Sequence, residues 1–199
     1  MSKQNDQKKN VVDIDVSQVP EGKRTDPRFL SLLGSMQRGC ADPRLVHAIC
    51  IHEATHTFFL GHAGMKEPSA NGPRILYDPV KDEFNGQGSA VKFDGMDQEY
   101  IAKIDSREWL RRVAKGYAAG GVGARILAGA VDTGDGDDRE NFEAIFRKIK
   151  ADNPSMTWTS DWLWAEAQRA VAKDLQNPEI KKSILALADA LKPDLFRVC

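Results

Sequence analysis

Cysteine is scarce in this sequence: Cys40, Cys50 and Cys199 are odd in number, far apart and contain no CxxC pair. That excludes a disulfide framework and a cysteine-built zinc ribbon, and fits reduced thiols in a cytoplasmic protein. Long apolar runs are also missing. No stretch approaches the ~20 residues that cross a bilayer, and residues 1–10 are polar, so no membrane span, secretory signal or transit peptide is expected. Excess charge of one sign is absent too: 28 basic and 29 acidic residues leave a net charge of -1. A global basic field for nucleic acid or an anionic membrane is thereby excluded, and any substrate must be recognised locally. No internal repeat or low-complexity tract is present, and Glu21-Gly22-Lys23-Arg24-Thr25 lacks the upstream glycine of a phosphate-binding loop.

The 199 residues suit a single globular domain. Residues 1–24 read as a flexible arm with one short alternating apolar patch, Val11 to Val16, and residues 25–199 as the folded domain. Asp26-Pro27 and Asp42-Pro43 each supply an N-cap followed by proline at the first helical position. The helices they open should end near Gly39 and Leu60. Between 65 and 93, proline, glycine and asparagine punctuate two β-type runs, 74–77 and 89–93, which predicts a small sheet or hairpin. Helical spacing returns over 97–127 and includes Gly116, Gly120, Gly121 and Gly123, a pattern that predicts close helix packing. An acidic loop, 132–138, precedes an amphipathic helix for which Asp137 is a natural cap. Two further helices are expected over 160–175 and 178–191. The fold class is mainly α with a small β element.

The second helix carries the chemistry. Between Arg44 and Lys66 its only formally charged residue is Glu53, set among Leu45, Val46, Ile49, Ile51, Phe58 and Phe59. In His52-Glu53-Ala54-Thr55-His56, residues four apart lie on one helical face, so both imidazoles can reach one tetrahedral ion, and the spacing fits zinc. Glu53 points beside that ion, where a general base takes a proton from zinc-bound water as it attacks a peptide carbonyl. A core helix with two satisfied histidines is the bland alternative, but an unpartnered carboxylate in so apolar a helix would be costly. His47 lies off the metal face. Trp158, Trp162 and Trp164 read as core. The acidic loop lacks the ligand order of a calcium-binding EF-hand.

A third protein ligand is required, and two candidates compete. His62, six residues after His56, has the third-histidine spacing of metzincins, although Phe59 stands where their turn glycine belongs. The other candidate is a downstream carboxylate. Ile51 to His56 resembles the His-Glu-Ala-Gly-His motif of the FtsH-type zinc peptidase domain. Gly120-Gly121 with Ala124 resembles that family's glycine-glycine helix, and Asp132-Thr133-Gly134-Asp135-Gly136-Asp137-Asp138 its Ser-Thr-Gly-Ala-x-Asn-Asp segment. The resemblance covers roughly 45–191 and implies a peptidase with zinc on His52, His56 and Asp138, with Asp135 and Asp137 as neighbouring alternatives.

It also implies an edge strand, 91–93, that holds extended peptide. Thr55 replaces the family's motif glycine, and Arg125 and Ile126 replace its paired glutamates. Without the family's ATPase module, the substrate would be a small or already unfolded polypeptide, or one delivered by a partner such as a separately encoded ATPase or a homo-oligomer. Loss of catalysis with retention of zinc, giving a binding or interaction protein, is the alternative these replacements suggest.

Overall fold

The computed structural model describes residues 12–131 and 135–196. Its architecture is mainly helical with a small antiparallel β portion, as expected. The first two helices, α1 (Pro27–Cys40) and α2 (Pro43–Gly61), start as the Asp-Pro pairs dictate: Asp26 and Asp42 accept the backbone N–H two residues on, and proline occupies the first helical position. Four strands follow, β1 (Met65–Asn71), β2 (Arg74–Asp78), β3 (Glu83–Gln87) and β4 (Ala90–Met96). The remaining helices are α3 (Gln98–Ala102), α4 (Ser106–Ala128), α5 (Asp135–Asp152), α6 (Ser160–Asp174) and α7 (Pro178–Leu195). No helix among the described residues is long and apolar enough to cross a membrane.

Three expectations need correction. The two β-type runs do not pair with each other: β2 pairs with β3 and β4 with β1, giving two separate two-stranded antiparallel sheets. Strands β1 and β3 carry Lys, Pro, Asn and Gly, so tertiary pairing rather than β-propensity defines them. The helix expected over 97–127 breaks between α3 and α4, because Asp105 is extended and its carboxylate caps Arg107 and Glu108. Helix α5 begins at Asp135, ahead of Asp137, so Asp137 lies in the first turn rather than at the cap; residues 132–134 of the acidic loop lie outside the described residues.

The expected arm is only partly described, residues 1–11 lying outside the description. Over 12–24 the chain is packed. Ile14 and Val19 are buried with Phe29 of α1 and Ile75 of β2, and Asp15 bridges to Arg74. The alternating apolar residues supply enough buried area to dock this segment on the β2–β3 hairpin.

Helix α4 is the axis of the domain, packing against α2, α5 and α6, while α7 covers the outer side of α2. One core joins α2, α4, α6 and α7 through Ile51, Ala54, Ala119, Val171 and Ile184. A second joins α4, α5 and α6 through Leu110, Phe142, Leu163 and Trp164. These two cores bring the middle of α2 and the first turn of α5 to the same stretch of α4.

Candidate metal centre

His52 and His56 project from α2 as a helical pair. Their Nε2 atoms are 2.9 Å apart, and each also approaches Oδ2 of Asp138 in the first turn of α5, at 3.3 Å from His52 and 3.0 Å from His56. These three side chains form a group whose ligand atoms converge tightly enough to hold one metal ion. A tetrahedron with ligands at about 2.0–2.1 Å from zinc has edges of about 3.3 Å, so the observed triangle is that size, slightly contracted. Two nitrogen lone pairs at 2.9 Å cannot face each other without a proton or a cation between them. The donor set therefore fits a divalent ion with a fourth position left to solvent or substrate.

The shell behind these ligands is built by α4. Nδ1 of His56 donates to the carbonyl oxygen of Gly116 at 2.8 Å, so Nε2 is the nitrogen that would carry the lone pair once the ring is neutral. Gly120 faces both imidazoles, and a Cβ there would fall inside contact distance of His52 Nε2 and His56 Nε2. The expected close packing of the glycine-bearing segment is thus a steric requirement of the histidine pair. Thr55 is fully buried; its hydroxyl donates to Ile51 O at 2.6 Å and its side chain fills the space that Gly123 leaves open.

Electrostatics tie the group together. Burial alone would raise the Asp138 carboxyl, but hydrogen bonds from His52 and His56 and their charge hold it well below the usual carboxylate range. Burial pulls His56 down, and the Asp138 contact and charge overcome this and push it up to about 9. Glu53 is buried, with its carboxyl raised by desolvation against the opposing pull of His56, His52 and the Val91 amide. Its Oε2 accepts from the backbone N–H of Val91 in β4 at 2.7 Å. Strand β4 therefore lies directly against Glu53 at Val91.

The competing residues lie elsewhere. His62 is exposed, its Nδ1 donates to Phe58 O at 2.6 Å, and it is not part of the converging group. His47 and Asp137 are exposed and are not part of the converging group. Of Trp158, Trp162 and Trp164, only Trp164 is buried, against Phe142; Trp158 is half-buried beside the same core with Arg111 over its ring, and Trp162 is exposed next to it. A cavity of about 630 Å³ between α2, α4 and α6 is lined by Phe58, Phe59, His62 and Lys115, among others, but by none of His52, Glu53, His56 or Asp138.

Sequence reasoning missed the Gly116 carbonyl and the Val91 amide as partners of His56 and Glu53. Both are main-chain groups, which every residue carries, so no side-chain signal marks them. Comparison with protein-family models, curated proteins and solved structures finds no match to this chain.

Proposed function

We propose that this chain is a zinc-dependent hydrolase of peptide bonds, with His52, His56 and Asp138 as metal ligands and Glu53 as general base. The observation that carries the reading is the convergence of three donor atoms from two distant segments with a buried carboxylate next to them. When bound, zinc supplies Lewis acidity to a carbonyl and lowers the pKa of a water to about 7. Asp138 and the Gly116 carbonyl orient the imidazoles toward the ion. Glu53 takes the proton of the attacking water and delivers it to the leaving amine, so no covalent enzyme adduct forms.

Strand β4 is the proposed substrate-holding edge. It has a strand neighbour on one side only among the described residues, and an extended polypeptide can pair with its other side. This favours an unfolded segment or short peptide as substrate over a folded protein, and a separately encoded ATPase or a second copy of the chain as the partner that would present it. The resemblance to the FtsH-type peptidase domain points the same way.

The test is zinc content per chain in wild type and in His56→Ala, Asp138→Ala and His62→Ala, alongside cleavage of labelled unfolded casein by wild type and Glu53→Gln. About one zinc in wild type and His62→Ala, its loss in the other two, and cleavage reduced ~10²-fold or more in zinc-replete Glu53→Gln are expected. Folded wild type that takes up no zinc would overturn the reading. Stoichiometric zinc without any cleavage would make this a non-catalytic zinc-binding protein.

A further inference from the structure

Glu53 stands next to two imidazoles and a carboxylate that converge on one point, yet it is not a member of their group. A buried carboxylate close to a divalent cation is drawn toward it strongly in a low-dielectric site, so something must hold it aside. The only hydrogen bond to its carboxylate among the described residues comes from the Val91 amide, at 2.7 Å.

The strand geometry shows why that amide is free to serve. The β1–β4 register runs evenly from Met65 opposite Met96 to Asn71 opposite Ala90, and it sets Pro68 opposite Phe93. Proline has no N–H, so the Pro68–Phe93 pair cannot exchange both ladder bonds, which suits the pairs whose polar groups point away from each other. Backbone direction alternates with a period of two, so Val91 shares the orientation of Phe93 and directs its N–H away from β1. The Glu53 carboxylate on the outer side of β4 gives this direction for the Val91 N–H, and the proline in the partner strand is compatible with it.

We propose that the backbone amide of Val91 is a positioning group for Glu53, holding one carboxylate oxygen on β4 so that the side chain stands beside the metal ligands and not among them. Oε1 is left for proton transfer. The same bond sets the register of an edge-bound peptide: with the Val91 N–H taken, pairing uses the outward backbone groups of Phe93 and Gly95. The inference rests on the reading of Glu53 as a general base, but the tether is measurable without turnover.

Residue-resolved amide exchange in wild type, Glu53→Gln and Glu53→Ala is the first experiment. Val91 should exchange roughly tenfold or more slowly in wild type than in Glu53→Ala, with protection kept in Glu53→Gln, whose amide oxygen still accepts. Phe93, which faces the same open edge without a carboxylate, should be unaffected. Equal Val91 rates in wild type and Glu53→Ala would overturn the proposal.

The second experiment is the visible spectrum of the cobalt(II)-substituted protein in Val91→Pro and Val91→Ala. Proline removes an N–H that makes no ladder bond, at an edge position that tolerates it. The freed carboxylate should join the ion and convert the spectrum to a weaker, higher-coordinate form in Val91→Pro. Val91→Ala and the double variant Val91→Pro/Glu53→Gln should keep the wild-type form. A Val91→Pro spectrum matching that of Val91→Ala would overturn the proposal; if this variant does not fold, the exchange comparison decides alone. A wild type that binds cobalt and shows the protected Val91 amide but cleaves nothing would defeat the peptidase reading and leave the tether standing.

Discussion

His56 and Gly116 are sixty positions apart in the chain, yet Nδ1 of the one donates to the carbonyl oxygen of the other at 2.8 Å. Through this bond α4 sets both the tautomer and the tilt of a proposed metal ligand on α2. The proposed metal centre is consequently a property of the α2–α4 interface, and changes on α4 should be read out in metal affinity.

Gly120→Ala tests this directly. The added methyl would press on His52 Nε2 and His56 Nε2 together, and neither ring can withdraw without leaving Asp138. We expect zinc binding to weaken by at least ~10-fold and the metal-free protein to lose about 1–3 kcal/mol, as overpacked cores do. Zinc titration with a competing chelator and a urea melt measure the two effects. Wild-type zinc affinity in Gly120→Ala would show that the imidazoles are not held by this contact.

Thr55 and Gly123 should be energetically coupled. Gly123→Ala places a methyl against the Thr55 side chain and is expected to cost about 1–3 kcal/mol, whereas in a Thr55→Gly background the same change should cost much less. A double-mutant cycle by chemical denaturation gives the coupling energy. A value near zero would mean that the helices shift apart easily and that the fit is not specific.

Phe142, one helical turn beyond Asp138, is fully buried with Leu110, Ala114 and Trp164. Phe142→Ala should cost about 3–5 kcal/mol. Because this side chain seats the start of α5 on α4, zinc affinity should fall with it. Stability lost with affinity intact would separate the anchoring of α5 from the placement of Asp138.

The pH dependence follows from His56. Its folded pKa is raised to about 9, against ~6.5 in an unfolded chain, by the contact with Asp138. A raised pKa contributes stability that is complete below about pH 6.5 and is lost as the pH climbs through about 9. The metal-free protein should therefore melt at a lower temperature at pH 9 than at pH 6.5. Zinc requires the neutral ring, so its uptake should release about one proton near neutrality and tighten across the same interval. Calorimetry in buffers of different ionisation enthalpy counts that proton; zero release would place the neutral imidazole in the metal-free state.

By itself the sequence determined what short-range geometry determines. Helix pitch puts His52 and His56 on one face, Asp-Pro pairs set the starts of α1 and α2, and the apolar surroundings of Glu53 bury it. Asp138 could be named only by resemblance, because no local rule links residues 82 positions apart.

Only the tertiary structure decided the rest. Strand pairing followed packing and not propensity, so β1 and β3 had no legible signal. The break before α4 depended on whether Asp105 would cap or continue a helix. The main-chain partners of His56 and Glu53 emerged only when α4 and β4 were seated against α2. Periodicity fixes which side chains share a face; which carbonyl or amide meets them depends on how the faces are packed, and that is settled by the whole core at once.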